Sequence, residues 1–223
     1  MTGANRGIGL ALATALVARE TFAVIATVRD AGASSELETL ARRTGRLTIA
    51  DLDLNEEPSI VSFAQRAATL GPFDLVIHNA GIMGSQRLSE LTFDNVLADL
   101  RTNMVGPAVL TRHLRPHLRR GGLLVFISSR LGSIGVADGR QGYPYRASKA
   151  ALNMVARQLS FELRDDGIGV LIMSPGQVQT RMNHVPGAIS PDESAAGLLR
   201  EIDAFTMDRT GTFRRYDGST LPW

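Results

Sequence analysis

The chain has 223 residues, of which 44% are hydrophobic and 21% charged, and its formal net charge is +2. These values are ordinary for a globular protein and leave room for one well-packed domain. Because the sequence contains no cysteine, disulfides, thiolate catalysis and cysteine-ligated metals are excluded. The four histidines are scattered without ligand spacing, so no metal site is expected.

Neither a membrane-spanning run of ~20 apolar residues nor a cleavable signal is visible in the sequence. The densest group of positive charges, Arg112, Arg115, Arg119 and Arg120, has helical spacing. Such a group is typical of a solvated helix face rather than of a nucleic-acid site. We therefore expect a cytoplasmic protein with no membrane or nucleic-acid partner.

Short apolar runs of strand length alternate with helical patterns along most of the chain. Alternation of this kind predicts a parallel sheet covered by helices on both faces. The fold expected is a single doubly wound, Rossmann-type α/β domain over residues 1–223. Strands are predicted at residues 22–28, 47–50, 75–78, 123–127, 170–173 and 211–213, and helices at 10–17, 35–43, 58–70, 92–120 (kinked), 145–166 and 191–206.

A glycine-rich turn, Thr2-Gly3-Ala4-Asn5-Arg6-Gly7-Ile8-Gly9, opens the chain and leads into the first predicted helix. Backbone N–H groups and the helix dipole can hold a pyrophosphate at such a turn. The turn normally follows a strand, and here only Met1 precedes Thr2. We therefore expect either that the first strand has been lost or that the sheet lacks its central member.

Lys149 is the only lysine of the chain, since 23 of the 24 Lys and Arg residues are arginines. Tyr145 lies four residues earlier, so the two side chains share one helix face. A nearby cation lowers the pKa of a phenol from its usual ~10. The pair is a candidate general acid/base for a carbonyl or an alcohol. The alternative is an exposed tyrosine beside a solvated lysine, which occurs often by chance.

Ligands of a doubly wound sheet bind at the carboxyl ends of its strands. The polar residues predicted there include Arg29, Asp53, Ser129 and the segment 175–176, in addition to the glycine-rich turn. Tyr145 starts the helix that follows the strand and loop of Ser129. Ser129 and the Tyr145–Lys149 pair are therefore expected to meet at one crevice.

These motifs together resemble the short-chain dehydrogenase/reductase family over nearly the whole chain. Within that family, Tyr145-Arg-Ala-Ser-Lys149 and the ending 216–223 look most like the C-factor and sniffer-type carbonyl reductases. The matching segments are Thr2-Gly3-x-x-x-Gly7-x-Gly9, Asp53-Leu54, Asn79-Ala80-Gly81, Asn103, Ser129, Tyr145-x-x-x-Lys149, and Pro175-Gly176 with Thr180.

The resemblance implies a role for each of four catalytic candidates. Tyr145 would exchange a proton with the substrate oxygen, Ser129 would hydrogen-bond that oxygen, and Lys149 would lower the Tyr145 pKa and hold the nicotinamide ribose. Asn103 would position a water that passes protons onward from Lys149. Ser128 and Ser133 compete for the role of Ser129. Asn103 can instead be a polar group that satisfies a broken helix near Pro107.

NADP(H) is the expected cofactor, with NAD(H) as the alternative. Family members that use NAD carry an acid at the end of the second strand, whereas Thr27 stands there in this chain. Arg6 and Arg29 favour a 2′-phosphate through charge-assisted hydrogen bonds, and Asp30 is interpreted as a capping or solvated residue. The cofactor-binding residues implied are Gly3, Asn5, Arg6, Gly7, Ile8, Gly9, Arg29, Asp53, Leu54, Asn79, Ala80, Gly81, Tyr145, Lys149, Pro175, Gly176, Val178 and Thr180.

Two positions depart from the family pattern. His78 stands where many relatives have asparagine and is expected to be a packed, hydrogen-bonded strand end, and Gln177 replaces a frequent aromatic at the substrate wall. The substrate region is placed at about residues 177–192, where the short segment 181–191 leaves little chain for a lid and suggests an open site.

The function expected from the resemblance is an NADP-dependent oxidoreductase that transfers a hydride between nicotinamide and a small carbonyl or alcohol. The alternative is a catalytically weak or inactive nucleotide-binding signalling protein of C-factor type. A nucleotide triphosphatase is disfavoured because no Gly-x-x-x-x-Gly-Lys is present. The family also implies a homodimer or homotetramer, paired through the helices near Asn103 and Tyr145.

Overall fold

The computed structural model describes residues 1–84, 87–139, 142–182 and 186–223. Strands and helices alternate along these residues, as the sequence predicts. The strands are β1 (Val24–Val28), β2 (Leu47–Asp51), β3 (Phe73–His78), β4 (Leu118–Ile127), β5 (Gly169–Ser174) and β6 (Thr212–Arg215). The helices are α1 (Gly7–Ala18), α2 (Ser35–Thr44), α3 (Glu57–Ala67), α4 (Phe93–Leu100), α5 (Gly106–Leu114), α6 (Tyr143–Glu162) and α7 (Pro191–Asp203).

The strands form two parallel groups, β1–β2 and β3–β4–β5–β6. Met1 and Thr2 lie between them and hydrogen-bond to both sides. The Thr2 N–H donates to the Ile77 carbonyl at 2.9 Å, and the Met1 carbonyl accepts from the Thr27 N–H at 2.9 Å. The place expected for a first strand is therefore taken, in the described residues, by a two-residue bridge that joins the groups at their carboxyl ends.

Apolar side chains cover both faces of the sheet, which is why the strands read as nearly continuous apolar runs. One core cluster joins the sheet to α1, α2 and α7 through residues such as Leu12, Leu37 and Leu198. The other joins it to α3, α5 and α6 through residues such as Phe63 and Leu152. The doubly wound architecture expected from the sequence is thus confirmed.

The segment 92–120, predicted as one kinked helix, is the largest difference from expectation. The helix passes from α4 through a π-helical turn at Arg101–Val105 into α5, and a 3₁₀ turn at Arg115–His117 follows. Residues 118–120 begin β4 instead of ending a helix. Polar residues are tolerated there because that end of the strand is exposed.

The arginines of this segment therefore do not form the single helix face that was expected. Arg112 pairs with Glu57, Arg115 with Asp166, and Arg119, on β4, with Asp74. None of the described helices is both long and apolar enough to cross a membrane.

Candidate functional site

The glycine-rich turn lies at the carboxyl edge of the sheet, between β1 and β3. Gly3 and Gly7 have φ values of +64° and +52°, which side chains rarely adopt. A Cβ on Gly9 would lie 2.1 Å from the Gly3 carbonyl oxygen, so only glycine fits there. The turn therefore presents bare backbone at the start of α1, as a cradle for phosphate requires.

Asn79 and Ala80 hold this turn in place from the end of β3. The Thr2 hydroxyl accepts the N–H groups of both residues at 3.1 Å. The Asn79 side-chain amide donates to the carbonyls of Thr2 and Gly3 at 3.1 and 3.0 Å. Asn79 thus braces the turn and directs its side-chain N–H groups to the protein backbone.

Positive charge is available at the same edge of the sheet. Asn5 and Arg6 are exposed in the turn, and Arg29 is exposed directly after β1. Neither arginine side chain has a hydrogen-bond or ion-pair partner among the described residues. Thr27 is buried, and its hydroxyl donates to the Met1 carbonyl. Asp30 accepts the Gly32 N–H at 3.0 Å, which fits its interpretation as a cap.

Asp53 and Leu54 lie just beyond the carboxyl end of β2. Asp53 is engaged locally: its carboxylate accepts the Asn55 N–H, and its own N–H donates to the Ser59 hydroxyl. Leu54 is buried, and a Cβ on Gly106 would lie 2.6 Å from its carbonyl oxygen. Asp53 and Leu54 are therefore held in place at the edge of the crevice.

The segment after β5 approaches the turn from the opposite side. The Thr180 methyl group lies 3.2 Å from the point that a Cβ on Gly7 would occupy. The Pro175 carbonyl accepts the Ser194 hydroxyl, and Gly176 has a φ of +87°.

Val178 is buried. Gln177 and Gln179 are exposed on either side of Val178, and residues 183–185 of the predicted substrate region lie outside the described residues.

Ser129 and Tyr145 meet, as the sequence predicts. Ser129 lies two residues beyond the end of β4 and caps the short turn Arg130–Gly132 by accepting the Leu131 N–H. It also hydrogen-bonds the Tyr145 hydroxyl. The two competing serines are engaged elsewhere: Ser128 with the Asn153 side chain and Ser133 with the Pro222 carbonyl.

Lys149 is buried beside Tyr145, which rules out the alternative of an exposed tyrosine and a solvated lysine. Tyr145 is only 8% exposed and Lys149 only 3%. The Lys149 ammonium donates to the Ile127 carbonyl at 2.8 Å and lies 5.8 Å from the centre of the Tyr145 ring. One of its three N–H groups is therefore used to anchor α6 to the end of β4.

Asn103 lies in the π-helical turn and is fully buried. Its carbonyl oxygen accepts the Ile82 N–H at 2.8 Å, and its amide donates to the Ile82 carbonyl and the Ser148 hydroxyl, each at 2.9 Å. The interpretation of Asn103 as a group that satisfies its own broken helix is therefore wrong. Asn103 holds the strand-end segment that contains Gly81 against α6.

The pKa of Tyr145 is shifted upwards, whereas the sequence predicts a downward shift. Burial raises the pKa of Tyr145 to about 12, and the Ser129 hydrogen bond offsets this only in part. Burial also lowers the pKa of Lys149 to about 8. Spacing of four residues correctly predicts proximity, but desolvation is the largest cause of the Tyr145 shift and makes it upward.

His78 ends β3 and is packed and hydrogen-bonded, as expected. Its ring stacks on Phe126 with centroids 4.6 Å apart, and its Nε2 lies 3.0 Å from the Thr111 hydroxyl. Burial lowers the pKa of His78 to about 3, so the ring is neutral at ordinary pH.

Asp99 is the polar group near the site that the sequence reasoning missed. It lies on α4 with 0% of its surface exposed, and its charge acts on both Lys149 and Tyr145. The signal that could have found it is its position four residues before Asn103, on the same helix face.

Taken together, a parallel doubly wound sheet, a glycine cradle and a Ser–Tyr–Lys cluster with a buried tyrosine and lysine define an NAD(P)-dependent oxidoreductase. The model of the short chain dehydrogenase family matches residues 1–188. The chain belongs to this family.

Relatives of the two predicted subgroups are found among similar proteins. C-signal of Myxococcus xanthus is 35% identical over 73% of this chain and 99% of its own. The structure of NADPH-bound carbonyl reductase from chicken fatty liver matches with a TM-score of 0.94 and 30% identity, covering 100% of this chain and 97% of that one. Carbonyl reductase Sniffer of D. melanogaster matches with a TM-score of 0.93 and 27% identity over the same shares.

Proposed function

We propose that the chain is an NADP(H)-dependent carbonyl reductase that acts on small or medium ketones and aldehydes, and on alcohols in reverse. The observation that carries this proposal is the hydrogen bond between Ser129 and Tyr145, with Lys149 buried on the same helix face. The NADPH bound by the chicken carbonyl reductase supports the choice of cofactor.

The residues at the crevice fit a dinucleotide with a 2′-phosphate. The cradle at Gly9 has no room for a side chain, and Arg6 and Arg29 provide exposed guanidinium groups suited to bidentate phosphate contacts. Arg29 follows β1, the position that selects between ribose hydroxyl and phosphate. When bound, NADP(H) supplies the hydride.

Tyr145 is the proposed proton donor. At a pKa of about 12 it stays protonated at neutral pH and can give its proton to a carbonyl oxygen. Ser129 hydrogen-bonds the same oxygen and orients it. Alcohol oxidation instead requires the Tyr145 phenolate, so we expect its rate to rise with pH while carbonyl reduction dominates near neutrality.

Lys149 and Asn103 are proposed to support proton donation by Tyr145. The Lys149 ammonium is fixed by the Ile127 carbonyl and has further N–H groups for ribose hydroxyls. A Cβ on Gly81 would lie 3.2 Å from the Asn103 carbonyl oxygen and 3.4 Å from the Lys149 nitrogen. This shared contact supports the proposed passage of protons from Lys149 through a water held by Asn103.

The first experiment is a titration of the purified protein with NADPH and with NADH, followed by nicotinamide fluorescence. Ketones and aldehydes are then added, and turnover is compared for the wild type and Tyr145→Phe. We expect tighter binding of NADPH than of NADH, and loss of turnover by ~10²–10⁴-fold in the variant, the usual contribution of a general acid.

Tyr143→Phe is the matched control, because Tyr143 is 40% exposed at the start of the same helix. It should turn over like the wild type, and Tyr145→Phe should still bind NADPH. Failure to bind either cofactor contradicts the whole proposal. A preference for NADH removes the roles given to Arg6 and Arg29.

A nucleotide-binding signalling protein of C-factor type is the second candidate, supported by the likeness to C-signal. It predicts NADPH binding with no turnover of any compound in the panel. The burial of Tyr145 and Lys149, with Ser129 hydrogen-bonded to Tyr145, supports the enzyme instead, because a protein without turnover gains little from desolvating a tyrosine and a lysine.

We also propose that the chain pairs with itself, as a homodimer or homotetramer. Phe93 and Leu97 of α4 and Met154 and Phe161 of α6 are each more than half exposed, and the two helices pack side by side. Such apolar exposure suits association. Light scattering should give a multiple of 24.0 kDa, and a mass of 24.0 kDa contradicts this proposal.

Residues 177–192 as the substrate region and the cytoplasm as the location both stay predictions. Exposed Gln177 supports an open substrate wall. Removing its amide in Gln177→Ala should change KM across the ketone panel more than kcat.

A further inference from the structure

Two opposite charges are buried together in the part of the chain that the structure describes. Asp99 is the only fully buried acidic residue there, and Lys149 is the only buried lysine or arginine. Asp99 lies on α4 and Lys149 on α6, and the two helices pack against each other. Fully buried charges are rare unless they are paired.

The hydrogen bonds of Asp99 do not account for its burial. One carboxylate oxygen accepts the Gly84 N–H at 3.3 Å, which is long for a bond to a charged group. The other oxygen has no hydrogen-bond partner among the described residues. A carboxylate with one weak hydrogen bond retains most of its desolvation cost.

The segment 81–84 separates the two charges and uses glycine where it meets each of them. A Cβ on Gly81 would lie 3.4 Å from the Lys149 nitrogen, and a Cβ on Gly84 would lie 3.0 Å from the unpartnered oxygen of Asp99. The loop therefore places no side chain directly against either charged group at these two points of contact.

We propose that Asp99 is a positioning residue that acts as the buried counter-charge of Lys149 and keeps its side chain an ammonium in the crevice. Only the consequence of this pairing for catalysis rests on the function proposed above. The pairing itself concerns the folded protein alone.

The electrostatics agree with this role. The negative charge of Asp99 raises the pKa of Lys149, against the larger lowering by burial. Burial raises the pKa of Asp99, and the Gly84 hydrogen bond and the charge of Lys149 offset this only in part. Around Lys149, α6 contributes the uncharged Tyr145 hydroxyl and β4 contributes the Ile127 carbonyl. No other charged group of the described residues shifts the Lys149 pKa.

The consequence is greatest near neutral pH. With Asp99 present, the Lys149 pKa is about 8, so the ammonium predominates at pH 7. Without that carboxylate the pKa falls further, and neutral amine becomes abundant at pH 7. A neutral amine donates weaker hydrogen bonds to ribose hydroxyls and stabilises a Tyr145 phenolate less.

The test uses the fact that Lys149 is the only lysine. Protein labelled with ¹³C and ¹⁵N in lysine alone gives one side-chain resonance, whose pH titration reports the Lys149 pKa without cofactor or turnover. We expect the midpoint to move below the wild-type value in Asp99→Asn. In the matched control Asp94→Asn, an exposed acid on the same helix, it should stay in place.

Equal midpoints in the two variants overturn the proposal. If Asp99→Asn does not fold, Asp99→Ser, which is smaller and keeps a polar group for the Gly84 N–H, is titrated in its place with the same expectation. In active protein, the alkaline limb of the kcat/KM profile should shift to lower pH with the lysine midpoint. Absence of turnover contradicts the proposed function and leaves the lysine titration as the test of the pairing.

Discussion

The two sides of the crevice are built in opposite ways. On the catalytic side, Ser129, Tyr145, Lys149 and Asn103 are bound to other groups of the protein, and the last three are buried. On the cofactor side, Asn79 holds the backbone of the glycine-rich turn, but the side chains of Arg6 and Arg29 are exposed and have no hydrogen-bond or ion-pair partner among the described residues. The catalytic side is preorganised for catalysis, and the cofactor side offers positive charge to an anionic ligand.

This difference predicts which substitutions act on turnover and which act on affinity. Groups already fixed in a desolvated site act mainly on kcat, because their interactions strengthen as charge develops on the substrate. Exposed charges act mainly on the binding of an anion and are sensitive to salt.

After the loss already expected for Tyr145→Phe, the largest effect is expected on the catalytic side, from Ser129→Ala. Loss of one hydrogen-bond donor to a developing oxyanion costs ~10²–10³-fold in kcat. The variant should keep its NADPH affinity, because the Ser129 hydroxyl contacts Tyr145 and not the glycine-rich turn. Steady-state kinetics and fluorescence titration measure the two quantities separately.

Ser133→Ala is the control for that experiment, since Ser133 donates to the Pro222 carbonyl and was the competing candidate. Its kcat should stay close to that of the wild type. Equal losses in both variants would mean that the loop after β4 matters as a whole and that the Ser129 hydroxyl has no separate role.

A smaller effect is expected on the cofactor side, from Arg29→Ala. Charge-assisted hydrogen bonds contribute roughly 1.5–3 kcal/mol, so the NADPH dissociation constant should rise ~10–100-fold. NADH lacks the 2′-phosphate and should bind as before. Fluorescence titrations of both cofactors at low and high salt measure this difference, which should shrink as salt screens the contact.

Arg164→Ala removes an equal charge from an exposed turn after α6 and serves as the control. Its NADPH affinity should be unchanged at moderate salt. If Arg29→Ala weakens NADH and NADPH alike, Arg29 shapes the loop after β1 and does not read the phosphate.

Sequence patterns predict more about the cofactor side of the crevice than about the catalytic side. The glycine-rich turn is readable because steric limits act locally: a Cβ at Gly9 would meet the chain only six residues away. The fold is readable because buried parallel strands leave long apolar runs. The serine is selected by motif order, and the structure adds that Ser128 and Ser133 are already engaged.

The sequence alone does not predict how deeply the catalytic groups are buried. The spacing of Tyr145 and Lys149 predicts contact, but the sign of the Tyr145 pKa shift depends on how much of the ring is desolvated by distant elements. Asp99 reaches the site because α4 packs against α6, and the packing of two helices distant in sequence is not read from residue spacing. Likewise, the early start of β4 at Leu118 depends on its pairing with β3.

His78 lies between the two sides, and its predicted effect is on stability, small near neutral pH and growing in acid. Its pKa falls from about 6.5 in the unfolded chain to about 3 in the folded protein, so between these values only the unfolded chain takes up the proton. The free energy of unfolding should therefore decline as pH falls from 6.5 towards 3, by up to ~1.4 kcal/mol per pH unit from this residue. Urea unfolding at several pH values measures the slope.

The contribution of His78 is isolated by comparing the wild type with His78→Asn, which cannot titrate in this range. Carboxylates also destabilise the protein in acid, but they do so equally in both proteins, so the difference between the two slopes belongs to His78. If His78→Asn keeps the wild-type slope, the His78 ring accepts a proton in the folded protein and does not contribute to the decline in stability.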